Sequence, residues 1–246
     1  MVTTDQRTQL EKLCDPISNI GNDESVQLLI EDLELHQKPW KLSSQMRKLS
    51  SFQSISFDEL MTDPTYKRPQ LLARRKLALI LAYSVFQLHE SPWLSNQWDK
   101  SQIHFLYGRD GKPDIYQPYL TTPFDDYPTT GEIPNINLFH KNAGILKLGV
   151  FLVEIHKWKP ISAFYDPQID LSNGQPTVNT DMHVARRILE ELDDCFPSYT
   201  EAIRSCLNLP WVPAGSRVRL EDEESWNAVY SSVIAPIEEE IAFAEK

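Results

Sequence analysis

The chain has 246 residues, 41% of them hydrophobic, which is enough to bury a sizeable core in one large domain or two small ones. Its formal net charge of −11 speaks against sequence-independent nucleic-acid binding and against attraction to anionic membranes. Eight acids and one lysine fall within residues 221–246, a run that reads as a solvated helix face.

In chain order, QLEKLC reads as a short helix. SVQLLIEDLELHQKPWKL reads as one or two strands, with Val26, Leu28, Ile30, Leu33 and Leu35 apolar. Ser56 followed three residues later by Glu59 is the pattern of a capping box and opens a short helix. QLLARRKLALILAYSVFQLHE is the clearest amphipathic helix, with Leu77, Leu81, Val85 and Leu88 at helical spacing and Arg74, Arg75 and Lys76 early in it. HFLY and PDIY flank the turn residues Gly108-Arg109-Asp110-Gly111 and predict a hairpin. Residues 120–142 are rich in proline, threonine and aspartate and predict a long irregular segment, of the kind that often carries recognition.

NAGILKLGVFLVEIHKW is apolar on nearly every face, so its helix belongs inside a core, with Leu148, Phe151, Leu152 and Ile155 buried. KPISAFYDPQIDLSNGQPTVN reads as a loop. TDMHVARRILEELDDCF and YTEAIRSCLNL read as amphipathic helices, and EESWNAVYSSVIAPIEEEIAFAE as a helix broken or kinked at Pro236. These elements give a small, strand-bearing N-terminal part and a mostly helical body, with no linker between independent domains.

Cys14, Cys195 and Cys206 are too few and too scattered for a disulfide framework or a zinc site. His36, His89, His104, His140, His156 and His183 show no i, i+4 pairing with each other or with cysteine, so no metal site is expected. No apolar run approaches the roughly 20 residues of a membrane span, and MVTTDQRTQLEKL lacks the segments of a secretory signal. The expectation is a soluble, cytoplasmic protein that makes no membrane contact and binds no nucleic acid. Ser-His-Asp chemistry lacks a Gly-x-Ser-x-Gly elbow.

The order of elements resembles the C-terminal lobe of a eukaryotic protein kinase. SFDELMTD with ARRKLALILAYSVFQLHES resembles the short helix after the hinge and the long helix before a catalytic loop, ending in Leu88-His89. LKLGVFLVEIHKWKPI resembles the buried central helix, and YTEAIRSCLNLPW a late helix with a cysteine-leucine pair. With LHESPWLSNQW and PYL, the chain is similar to a kinase-like domain of unknown function from filamentous fungi, found downstream of helical incompatibility-type domains. The resemblance implies an α+β, protein-kinase-like fold. It has a reduced strand region and hinge over residues 1–68 and a helical body over 69–246, forming a single compact unit.

Kinase chemistry needs a glycine-rich loop, a strand lysine, a catalytic aspartate, and an asparagine and an aspartate for magnesium. Laid over that pattern without gaps, Asp99 falls on the catalytic aspartate. His104 falls on the asparagine, and Gln117-Pro118-Tyr119 on Asp-Phe-Gly. Before residue 70 the only glycine is Gly21, so no glycine-rich loop exists. Losing a single electrostatic stabiliser costs about 10² to 10³ in rate. Glu132 lies twelve residues before Gly144, the spacing of the glutamate that anchors a kinase activation segment, with Arg217 or Arg219 as its implied partner. Gly144 itself stands where the family expects an aspartate.

The resemblance therefore implies a catalytically inactive, pseudokinase-like regulatory or protein-interaction module with no cofactor. Asp99 is then a vestigial position, which reads by itself as a turn or N-cap aspartate. The alternative is an unorthodox nucleotide-binding phosphotransferase using Asp99 with Asp125, Asp126 and Glu132. A protein partner is expected on the irregular segment. There Phe124, Tyr127 and Phe139 are aromatic anchors among Asp125, Asp126 and Glu132, or else pins that hold the segment to the core.

Overall fold

The computed structural model describes residues 8–9, 24–31, 34–41, 53–88, 98–108, 110–121, 138–192, 195–212 and 222–245. The chain divides into two compact units, Met1–Gln53 and Ser54–Lys246. In the first, β1 (Thr8–Gln9), β2 (Glu24–Glu31) and β3 (Glu34–Lys41) form an antiparallel sheet in the order β1-β3-β2. The segment SVQLLIEDLELHQKPWKL thus supplies two strands, paired from Glu24↔Lys41 to Glu31↔Glu34. The stretch QLEKLC lies outside the described residues.

The second unit opens with β4 (Ser54–Ser56), which runs directly into α1 (Phe57–Thr62). The capping box forms as its spacing predicts. Ser56 Oγ accepts from the Glu59 N–H at 3.2 Å, and Glu59 Oε2 accepts from the Ser56 N–H at 3.0 Å. These residues belong with the helical body because β4 pairs with β5 (Ile103–Tyr107) and because Phe57 packs edge-on against Phe105, Phe151 and Trp158. β5 pairs in turn with β6 (Pro113–Leu120), giving the order β4-β5-β6. The connection is closed by Gly108 N–H to Lys112 O at 2.8 Å and uses Gly111 at φ 71°, a conformation that glycine adopts without cost. Pro118 fits because β6 is an edge strand.

The core is built around α3 (Ala143–Lys157), which crosses α2 (Leu71–Leu88) and α5 (Pro197–Asn208). Leu148, Phe151, Leu152 and Ile155 are buried, as the absence of a polar stripe predicts. A Cβ at Gly149 would stand 2.8 Å from Cys206 Cβ, so glycine lets α3 and α5 approach closely. Asn142 caps α3 through its side-chain oxygen, which accepts from the Ile145 N–H at 2.9 Å. A 3₁₀ turn (Ile161–Phe164), the two-residue strands β7 (Leu171–Ser172) and β8 (Gln175–Pro176), and α4 (Thr180–Glu190) follow.

The last helix is interrupted as expected, by a widened turn placed just before the proline. α6 (Glu223–Val229) passes through a π-helical turn at Tyr230–Ile234 into α7 (Ala235–Ala244). Pro236 has no N–H to give, and its ring would clash with a carbonyl one turn back. Widening the turn relieves both problems while Ala235 N–H still reaches Tyr230 O. The whole is a mixed α+β structure in which helix predominates. Among the described residues, no helix is long and apolar enough to cross a membrane.

The helix α2 departs from its amphipathic pattern. Arg74 and Arg75 sit inside, at 6% and 1% exposure. The Arg74 guanidinium donates to the His156 carbonyl at the end of α3. Arg75 Nε donates to Glu240 Oε1 at 2.5 Å, and its guanidinium carbon lies 3.5 Å over the Tyr199 ring. Partners on three other helices make a charged face compatible with a buried one.

Candidate functional site

Two regions bear on function. The first is the stretch resembling a catalytic loop. Asp99 is exposed, and its Oδ1 accepts from the Ser101 N–H at 2.6 Å and from the Ser101 hydroxyl at 2.5 Å. This is an Asx turn, the local role that the residue type suggests by itself. Two lysines fasten the stretch to α3. Lys147 Nζ donates to the Trp98 carbonyl at 2.9 Å, and Lys100 Nζ meets Glu154 Oε1 at 2.6 Å. The same Glu154 oxygen accepts from the Ile161 N–H at 2.6 Å. Burial of Glu154 pushes its carboxyl above the ordinary range, while Lys100 opposes that shift.

The residues aligned with a kinase's metal ligands lie in strands. His104, on β5, has its Nδ1 3.4 Å from the Ser54 hydroxyl, and Gln117 is exposed on β6. Gly144, where the resemblance expects an aspartate, is buried in the first turn of α3. Among the described residues, no group of three or more histidine, cysteine, aspartate or glutamate side chains could hold a metal ion.

The second region is a surface made by residues 138–142, the β7–β8 hairpin and the start of α4. A cleft of about 500 Å³ is lined by Ile169, Asp170, Leu171, Thr180, His183 and Arg187, with Ser172 and Thr177 completing it. Its floor is rigid. Arg187 grips Asp170 with two parallel hydrogen bonds of 2.7 and 2.8 Å and donates to Phe164 O at 2.8 Å. That guanidinium holds the Asp170 carboxyl below the usual carboxylate range. Large apolar side chains are open to water here: Ile169, which lines the cleft, and Phe139 are each 74% exposed, and Val178, next in sequence to the lining residue Thr177, is 41% exposed. The Phe139 ring stands edge-on to His183 at 6.4 Å, which joins it to the cleft. Exposed apolar side chains grouped around a fixed polar floor are the chemistry of a recognition surface.

Of the expected partner-binding residues, Phe139 is therefore exposed on this rim. Phe124, Asp125, Asp126, Tyr127 and Glu132 lie outside the described residues, as do Arg217 and Arg219. Sequence reasoning passed over Ile169 and Val178, which sit in the stretch read as a plain loop. Their signal is an isolated large apolar residue among proline, aspartate, asparagine and glycine, with no periodic partner to bury it.

No curated protein and no solved structure matches the chain. Residues 2–244 match a family described as a domain of unknown function, DUF7580, and the chain belongs to that family.

Proposed function

We propose that this chain is a catalytically inactive, kinase-like module that works by binding another protein. The order of elements in the second unit supports a kinase-like body. It has a short capped helix, a long helix, a β-hairpin, a central helix buried on every face, two further helices and an interrupted last helix. The observation that carries the inactive reading is the use made of Asp99. Its carboxylate serves its own turn, and the positions for magnesium ligands hold His104 and Gln117 on paired strands. Phosphoryl transfer relies on metal ions and positioned charge, and these residue types supply neither. The binding surface is the rim formed by Phe139, Ile169 and Val178 over the Asp170–Arg187 cleft.

The test is a titration with ATP and magnesium, read by thermal melting and by transfer of labelled phosphate. A ligand bound to the native state at 100 times its dissociation constant adds about 2.7 kcal/mol and raises the melting temperature visibly. The expected result is no shift and no labelled protein. Autophosphorylation that disappears in Asp99→Asn would overturn the reading and favour the phosphotransferase.

A further inference from the structure

Carboxylates of α7 and its C-terminal cap reach side chains of α2, and they are partnered unequally. Glu240 meets Arg75 at 2.5 Å, and Glu245 meets Lys76 at 2.6 Å. Glu238 meets hydroxyls instead. Its Oε1 accepts from the Tyr83 hydroxyl at 2.6 Å, and its Oε2 accepts from the Tyr230 hydroxyl at 3.1 Å. Among the described residues, no lysine, arginine or histidine forms an ion pair with it. The phenols fix the carboxylate in place and use one lone pair on each oxygen, but they do not neutralise its charge. The hydrogen bond to Glu238, with burial, pushes the Tyr83 phenol above the ordinary tyrosine value, so Tyr83 remains the donor.

Aromatic rings stand beside this carboxylate. The Trp226 ring lies parallel to that of Tyr230, with 5.8 Å between centroids and an interplanar angle of 6°, and it leans on Phe86 at 4.9 Å. Trp226 is nonetheless 44% exposed. The π-helical turn that accommodates Pro236 also aligns these groups. Eight positions separate Tyr230 from Glu238, which in an unbroken α-helix would set the two side chains about 80° apart around the axis. A widened turn takes up the extra residue and brings both onto one face, where they hydrogen-bond. Such turns are frequent at functional sites. Glu223 and Glu224, exposed in the turn before Trp226, make the surroundings more negative.

An exposed indole, a fixed carboxylate with no cationic partner and acidic surroundings are complementary to an organic cation. The acceptors select among cations. Each Glu238 oxygen keeps a second lone pair, and the two oxygens together match the parallel N–H groups of a guanidinium, whereas an ammonium is a point charge. A guanidinium is also flat and stacks on an aromatic face. We propose that Trp226, Tyr230 and Glu238 form a receptor for an arginine side chain presented by another protein. Trp226 supplies the stacking face and Glu238 the opposite charge, while Tyr83 and Tyr230 hold the carboxylate in position. The rim over the Asp170–Arg187 cleft uses other residues on other elements, so neither reading depends on the other.

The experiment is an NMR titration of the full chain that follows the backbone amides of residues 226, 230 and 238. The probes are capped peptides with glycine on either side of arginine, lysine or citrulline, compared at matched salt. Citrulline keeps the shape of arginine without its charge. The arginine peptide should shift these amides saturably, with a dissociation constant in the millimolar range, and the citrulline peptide should not. Glu238→Gln, which keeps an acceptor oxygen and the side-chain length, should weaken the arginine peptide about tenfold. Trp226→Leu should weaken it about threefold. No saturable shift in the millimolar range, equal shifts from arginine and citrulline, or an unchanged affinity in Glu238→Gln would overturn the receptor. Lysine bound as tightly as arginine would overturn the assignment to a guanidinium. Should either variant fail to fold, the comparison of arginine with citrulline on the wild-type chain decides.

Discussion

Arg75 and Glu240 provide the sharpest energetic test of this fold. The two side chains are 1% and 5% exposed and meet at 2.5 Å. Arg75 Nη2 lies 3.1 Å from His156 Nδ1, and the guanidinium stacks on Tyr199, whose hydroxyl donates to the Leu152 carbonyl at 2.9 Å. Arg75 Nη1 and Glu240 Oε2 have no partner among the described protein atoms, so neither charge is fully solvated by the protein. Removing the carboxylate in Glu240→Leu strands a buried guanidinium and should cost about 3 to 5 kcal/mol. That is a large part of the roughly 5 to 15 kcal/mol that holds a domain folded. Arg75→Met should cost a similar amount, since it strands the carboxylate and gives up a desolvated cation–π contact of about 2 kcal/mol. The double variant removes both charges and should be more stable than either single one. Urea unfolding followed by near-ultraviolet circular dichroism measures all four corners of the cycle. Single costs that sum to the double cost within about 0.5 kcal/mol would refute the coupling argued here.

Truncating Phe151, which touches Phe57 and Trp98 in the core, to alanine should cost roughly 3 to 5 kcal/mol in the same assay, and a loss below about 1 kcal/mol would contradict its placement. Gly149→Ala should destabilise by about 1 to 3 kcal/mol, despite alanine's better helix propensity, because the new methyl meets Cys206 Cβ rather than a flexible tip; an unchanged midpoint would mean that α3 and α5 separate freely. The Asp170 carboxyl is held below its ordinary 3.8 by Arg187, so its contribution is complete above that pH and is lost as pH falls through the lower folded-state value. Asp170→Asn should therefore flatten the acid limb of the stability curve relative to wild type, and an identical acid limb would remove this pair from the account.

The elements that could be read from the sequence are those whose physics is local. The capping box at Ser56 and Glu59 needs only a spacing of three, and the β5–β6 hairpin needs only turn chemistry between two apolar runs. The central helix is recognisable because a segment with no polar face has one place to go. What local patterns could not convey depends on partners far away in sequence. Arg74 and Arg75 look like a solvent face until α3, α5 and α7 provide a carbonyl, a tyrosine ring and a carboxylate for them. Ile169 and Val178 have no periodicity that would mark them, since both lie ahead of α4 rather than within it.

In the stretch around Asp99 each element folds for its own physical reason. Hairpin, buried helix and turn each fold for reasons unrelated to phosphate: β-pairing, apolar burial and an Asx turn. What ties the turn to the helix are Lys100 on Glu154 and Lys147 on the Trp98 carbonyl. Glu154 is an expensive choice for that tie, because burial raises its carboxyl's affinity for a proton and only Lys100 and the Ile161 N–H counter it. The carboxylate is held inside by one partly exposed lysine and one backbone N–H, so the position of Lys100 depends on that ion pair while Lys147 holds Trp98 separately. The segment's constraints are those of a strut, and the binding surface proposed above is accordingly the exposed rim over the Asp170–Arg187 cleft rather than Asp99.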